Sequence, residues 1–341
     1  MPEARIICTM GPSTEDVVVL RDMAAAGMAV ARLNCSHGTP GTRRARLALL
    51  RRVNRGRTAK VKTLLDLQGY RIRVGKLGSK SSVTLKKKQT VFLTSGAAGD
   101  AENVIPFDYL GPLGDIKAGS FVYIDDGNIA LRVKGNTVNR LKAEVVVPGV
   151  LRANKGVNIP DIDLSFDGLT EKDKRDLRFG LENKVDFIAQ SFVRDSEDIL
   201  AVRDFFGKNG ASTKVIAKIE NRKGIANLDR ILDVSDGIMI ARGDLGVSFP
   251  IHEVPVLQKT IVRKCKERKR FVITATQMLE SMTEHVRPTR AEVSDVANAV
   301  LDGSDYLMLS AETAVGRHPV ETVKMMRQVI RSTERFKRRR G

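Results

Sequence analysis

Cysteine is scarce: Cys8, Cys35 and Cys265 are the only three in 341 residues, odd in number and far apart. They form no Cys-x-x-Cys pair and no His-rich cluster of the kind that holds zinc, which excludes a disulfide framework and a structural zinc site. The thiols read as reduced. Long apolar runs are missing too. No stretch approaches the ~18 uninterrupted apolar residues of a membrane span, and residues 1–10 lack a basic region followed by a long apolar one. A soluble, cytoplasmic protein without a membrane partner is predicted. There is no internal repeat and no low-complexity tract. Histidine is limited to His37, His252, His285 and His318, mostly in turn or helix-start contexts, and no Ser-His-Asp arrangement competes for the chemistry.

What is present begins with 42% hydrophobic residues, enough for a large core, and one barrel of roughly 250 residues plus a smaller inserted domain fits the length. Acidic residues are outnumbered: 58 Lys and Arg against 40 Asp and Glu give +18. Such a charge concentrates phosphoesters, nucleotides or nucleic acid without choosing among them. Much of it lies on the helix-like stretches 43–57 and 263–270, which read as solvated faces. The closing run Phe336-Lys337-Arg338-Arg339-Arg340 reads as a basic tail.

Apolar runs of strand length alternate with helix-period segments, the signature of a parallel sheet covered by helices. The strands are predicted at Arg5–Cys8, Val30–Asn34, Lys62–Asp66, Asp186–Phe192, Lys214–Ile219, Gly237–Ala241, Phe271–Thr276 and Tyr306–Leu309. Eight such units imply an α/β fold of the (β/α)8 TIM-barrel type. The connection after the third strand is much longer than the others, and its texture changes to short alternating runs such as Ser82-Val83-Thr84-Leu85 and Phe121-Val122-Tyr123-Ile124, followed by the turn residues Asp125-Asp126-Gly127-Asn128. A small all-β domain over 70–157 is therefore expected inside a barrel of 1–69 and 158–341. An insertion at that point belongs to the active-site face, where it can serve as a lid.

Side chains two apart on a strand point the same way, so Arg32, Asn34 and Ser36 bring a cation, an amide and a hydroxyl to the end of the second strand. The same spacing in Lys218-Ile219-Glu220 sets an ammonium beside a carboxylate, which by itself reads equally as an ion pair. Asp244, in Ala241-Arg242-Gly243-Asp244-Leu245-Gly246, offers a second carboxylate from the next strand. Two carboxylates with room for waters and phosphate oxygens suit Mg²⁺, and the glycines leave backbone N–H groups free for an anion. Thr274 and Thr276 toward the end of the seventh strand and Ser310 after the eighth add hydroxyls. Cations facing a migrating group, Mg²⁺ for the phosphates and few covalent participants are the parts of a phosphoryl-transfer site.

Read in order, the blocks Ile7 to Pro12, Ala31 to Gly38, Asn154 to Pro160, Lys218 to Asn221, Ala241 to Gly246, Ile273 to Leu279 and Arg287 to Glu292 resemble pyruvate kinases over nearly the whole chain. The resemblance implies phosphoryl transfer from phosphoenolpyruvate to ADP, giving pyruvate and ATP in glycolysis. It implies that Glu220 and Asp244 bind Mg²⁺ or Mn²⁺, and that Lys218, Arg32 and Arg73 surround the phosphoryl group, with Thr276 beside the reacting enolate. Gly243, Asp244 and Ser310 would contact the substrate. Pro12, His37, Arg73 and Lys155 would lie along the nucleotide. Asn34, Ser36, Asp66 and Leu67 match the family's monovalent-cation site.

Two departures stand out. Family members usually read Asp-Thr-Lys-Gly-Pro-Glu-Ile-Arg where this chain has Asp66-Leu67-Gln68-Gly69-Tyr70-Arg71-Ile72-Arg73. Arg71 in place of Glu predicts that a tethered guanidinium replaces K⁺, so that K⁺ is not required. Most members also carry a C-terminal effector domain, expected to be absent here, which favours a homodimer through barrel helices near 287–300. Two rivals remain: another enolate-handling barrel, which would not need the nucleotide-side blocks, and a catalytically impaired homologue that binds nucleic acid, a partner that the intact polar set disfavours.

Overall fold

The computed structural model describes residues 3–96, 101, 103–137, 139–160, 168–210 and 212–340. Eight parallel strands form a closed barrel: β1 (Arg5–Thr9), β2 (Met28–Asn34), β3 (Lys62–Asp66), β4 (Phe187–Gln190), β5 (Lys214–Ile219), β6 (Gly237–Ala241), β7 (Phe271–Ala275) and β8 (Tyr306–Leu309). Each strand pairs with its neighbours in sequence, and β1 closes the ring on β8 through Arg5↔Tyr306 to Cys8↔Leu309. The strands are apolar almost throughout because one face meets the barrel interior and the other the helices. Ile7, Val30, Leu64, Ile216, Met239 and Ile273 fill the interior.

The N-terminal end of the barrel is shut by aromatic packing. Phe187, Phe271 and Tyr306, each the first residue of its strand, meet edge to face with ring centroids 5.7–6.3 Å apart. A cation from the start of another strand covers each ring: Arg5 over Tyr306 at 4.2 Å, Lys62 over Phe187 at 5.6 Å and, from two strands away, Lys214 over Phe271 at 5.8 Å. Such contacts are worth about 0.5–1 kcal/mol each at exposed sites. With this end plugged, polar side chains collect at the other.

The helices around the barrel start where the sequence supplies caps. Thr39, Thr170 and Thr289 each accept a bond from the third backbone N–H of helices Pro40–Asn54, Glu171–Glu182 and Arg290–Asp302, in reciprocal capping boxes. The last helix runs from Pro319 to Arg340, four residues beyond the Phe336 at which the basic tail was expected to begin. Among the described residues, no helix is long and apolar enough to cross a membrane.

The chain divides into two compact units, Met1–Gly69 with Gly168–Leu245 and His252–Gly341, and Tyr70–Asp167 with Gly246–Ile251. The second unit is all-β in its described strands. Its larger sheet runs in the order Val157–Asn158, Phe121–Ile124, Ile129–Asn136, Leu141–Val147, Thr90–Thr94 and Val104–Pro106, and Ser82–Leu85 pairs separately with Gly149–Arg152. Pairing continues through Asn158, opposite Tyr123. The predicted turn joins Ile124 to Ile129, with Asp125 and Asp126 at φ 55° and 56°, the left-handed backbone that Asp tolerates better than most residues.

Candidate functional site

Four charged side chains converge where β2, β3 and β5 end. Asp66, 1% exposed, closes β3 and receives both cations: Arg32 Nε lies 2.7 Å from Oδ2, and Lys218 Nζ 3.1 Å from Oδ1. Lys218 also sits 3.2 Å from Glu220 Oε1 and donates to Ser191 Oγ at 2.6 Å. Ser191 in turn donates to the Leu67 carbonyl at 2.7 Å, and Arg32 Nη1 donates to Thr9 Oγ1 at 2.9 Å. Buried charges are tolerated only when each is paired and its remaining donors and acceptors are used, and this network meets that condition.

The protonation states follow from the pairing. Burial opposes the Lys218 charge, but Asp66 and Glu220 outweigh it, and the pKa lies above the ordinary lysine value. Lys218 is therefore a fixed cation and cannot act as a base near neutrality. Burial likewise disfavours ionised Asp66, yet Lys218 and Arg32 hold its pKa below the usual range. Glu220 moves the other way: burial, followed by the charge of Asp244, raises its pKa despite the lowering by Lys218. The Asp244 charge adds to the cost of ionising Glu220, a cost that a divalent cation beside Glu220 would relieve.

The backbone is strained at three non-glycine positions after β4 and β7. Phe192, just after β4, has φ 55° and aims its N–H at Glu220 Oε2, 2.6 Å away. Thr276, just after β7, has φ 77° and Gln277 follows at 53°. Left-handed backbone is a genuine outlier for a β-branched residue and costs on the order of 1–3 kcal/mol unless its surroundings impose it. Arg242 supplies that imposition. Its guanidinium donates to the carbonyls of Ala275 and Thr276 at 3.2 and 2.7 Å and is anchored on Asp295 by contacts of 2.8 and 2.7 Å. At Gly243 a Cβ would stand 3.0 Å from Thr276 Cγ2, so glycine lets the helix Arg242–Ser248 approach the Thr276 side chain.

The remaining predicted residues fall in several places. Asn34 Oδ1 accepts from Ser36 N at 2.9 Å, folding the β2 end back on itself. Leu67 offers its carbonyl to Ser191, as above, and Ser310 N donates to Glu312 Oε2 at 2.6 Å. Pro12 and His37 are exposed. Arg73 and Lys155 belong to the all-β unit, where Arg73 Nη1 donates to the Asn154 carbonyl at 3.0 Å and Lys155 pairs with Asp125 at 2.7 Å. Burial and the neighbouring Arg71 charge lower the Arg73 pKa. Arg71 itself pairs with Asp126 at 2.8 Å, while the Asp66 oxygens are bonded to Arg32 and Lys218. The sequence reading did not single out Ser191, Phe192 or Arg242 for a role; only the position of Ser191 and Phe192 at a strand end could have signalled them.

The donor set suits a hard divalent ion. Glu220 and Asp244 could offer carboxylate oxygens, and among the described residues no group of three or more His, Cys, Asp or Glu side chains that could hold a metal ion forms. That fits Mg²⁺, which takes one or two carboxylates and keeps positions open for substrate oxygens, better than zinc.

The closed eight-stranded parallel barrel, with cations and carboxylates gathered at one end, defines a (β/α)8 protein. The comparisons are narrower. The pyruvate kinase barrel-domain pattern matches residues 1–323. The pyruvate kinase of Sporosarcina psychrophila is 44% identical over 338 residues, covering 98% of this chain and 57% of that protein. Those of Geobacillus stearothermophilus and Staphylococcus epidermidis are 43% and 42% identical over 337 and 336 residues, again covering 57% of each relative. The chain belongs to the pyruvate kinase family, and it spans just over half the length of these relatives.

Proposed function

We propose that this chain catalyses phosphoryl transfer from phosphoenolpyruvate to ADP, forming pyruvate and ATP. The observation that carries the reading is Lys218, a buried ammonium fixed by Asp66, Glu220 and Ser191 and kept protonated, with Arg32 on the other side of Asp66. Preorganised cations stabilise charge on a transferring group without reorganising during the reaction. Glu220 and Asp244 would hold Mg²⁺ or Mn²⁺, which when bound neutralises phosphate charge. The Gly243 and Asp244 N–H groups and Ser310 would orient the substrate carboxylate, and Thr276 would face the enolate. Pro12, His37, Arg73 and Lys155 would serve the nucleotide.

The same reading includes independence from K⁺, because Arg71 stands where most of the family has Glu, and a cytoplasmic homodimer through the helix Arg290–Asp302. Steady-state pyruvate formation from phosphoenolpyruvate and ADP with Mg²⁺ tests the activity. Running it in tetramethylammonium buffer, with and without K⁺ at constant ionic strength, tests the cation. Activity should be full without K⁺, and a tenfold rise on adding K⁺ would remove the role given to Arg71.

A further inference from the structure

A second concentration of cations flanks the end of β2, joined to the cluster around Lys218 through Cys35, whose N–H donates to the Asp66 carbonyl and whose carbonyl accepts from Lys172. Helices Pro40–Asn54 and Glu171–Glu182 flank a cavity of about 370 Å³, within the usual size range of small-molecule sites. Arg43, Arg44, Lys172, Arg175 and Arg178 line it, opposed by Asp176 and Glu182.

Two observations separate this cavity from an ordinary solvated basic face. The Arg43 guanidinium is buried, with the residue 2% exposed and the group 5.8 Å from the Phe179 ring centroid. One of its nitrogens bonds Asp176 Oδ1 at 2.6 Å, but the buried Nε has no partner among the described residues. Asp176 must also serve Lys172, whose Nζ lies 2.7 Å from Oδ2 and donates to the Cys35 carbonyl at 2.6 Å. One carboxylate thus faces two cations. Arg44 and Arg175 are exposed and form no ion pair among the described residues.

We propose that this cavity binds a small phosphate-bearing anion. Guanidinium groups match tetrahedral oxyanions in a forked geometry, and the excess of positive charge calls for more than one negative charge. A neutral ligand would leave the converging cations uncompensated. The concave shape between two helices suits a single small molecule, whereas a polynucleotide needs an extended basic track.

Titration calorimetry with pyrophosphate, without divalent ions, tests this on the full chain. The wild type, Arg44→Glu/Arg175→Glu and Lys218→Met would be compared. Both reversed positions are exposed, so the double variant should keep its circular dichroism. The site requires that binding persist in Lys218→Met and weaken about tenfold or more in the double reversal. Because binding is the readout, the result is independent of the proposed activity. Equal affinity in the wild type and the double reversal would overturn the proposal, and so would binding lost only in Lys218→Met. A single-stranded oligonucleotide that binds through Arg44 and Arg175 where pyrophosphate does not would overturn it in favour of a polynucleotide surface.

Discussion

At the residue scale, the account depends on a few buried charges. Lys218→Met should lower kcat by about a hundredfold or more, with a smaller effect on KM, since a cation of this kind acts mainly on the transition state. It also strands Asp66 and Glu220, so the metal-free variant should lose on the order of 3 kcal/mol in denaturant unfolding, the usual cost of breaking a buried pair. Unchanged stability would mean that the pairs contribute little. The Lys218 pKa is raised, so its stabilisation is complete below the ordinary lysine value and is lost as pH climbs through the higher one. An alkaline fall in kcat below about pH 10 should therefore not come from Lys218, and Lys218→Arg should not move it. Arg242 offers a separate test. Asp295→Ala should loosen the guanidinium under Thr276 and reduce kcat about tenfold while KM changes little; equal loss in both would point to general misfolding. Spacing in the sequence disclosed Lys218, Glu220 and Arg32 because polar residues two apart at a strand end must share a mouth. It did not disclose Ser191 or Arg242, whose roles depend on bonds to carbonyls distant in sequence and on backbone strain that no local pattern records.

At the element scale, the strands were legible because a barrel strand buried on both faces is a short apolar run, and their predicted bounds differ from the observed ones by at most two residues. The all-β texture of the insertion was legible from alternation and from the Asp125–Asn128 turn. Less visible was the junction between the first and last barrel units. A Cβ on Gly11 would lie 2.3 Å from the Ala314 carbonyl oxygen, so the turn after β1 rests directly on the helix Ala311–Ala314. Since neither backbone can yield cheaply, Gly11→Ala should destabilise the protein by about 1–3 kcal/mol in thermal or urea unfolding. A change within about 0.5 kcal/mol would show that this contact is soft.

At the scale of the whole molecule, the barrel is plugged at one end by aromatics under cations and holds the buried ionised groups Arg32, Asp66, Lys218 and Glu220 at the other. The carboxylate pair gives this arrangement a thermodynamic signature. Mg²⁺ held by Glu220 and Asp244, as proposed, would stabilise the native state alone, so the melting temperature should rise with Mg²⁺ and return on chelation, and the rise should vanish in Glu220→Gln. A full Mg²⁺ effect in that variant would place the ion elsewhere. The net charge of +18 predicted affinity for anions without locating it, because charge counts carry no geometry. The most direct measurement of the central claim follows the phosphoryl group itself by phosphorus NMR, with phosphoenolpyruvate, ADP and Mg²⁺ as the starting mixture. The account predicts that the phosphoenolpyruvate resonance falls as the γ-phosphate resonance of ATP grows in equal amount, and that both changes are about a hundredfold or more slower with Lys218→Met. Phosphoenolpyruvate left intact by the wild type, or lost as inorganic phosphate without ATP, would contradict it.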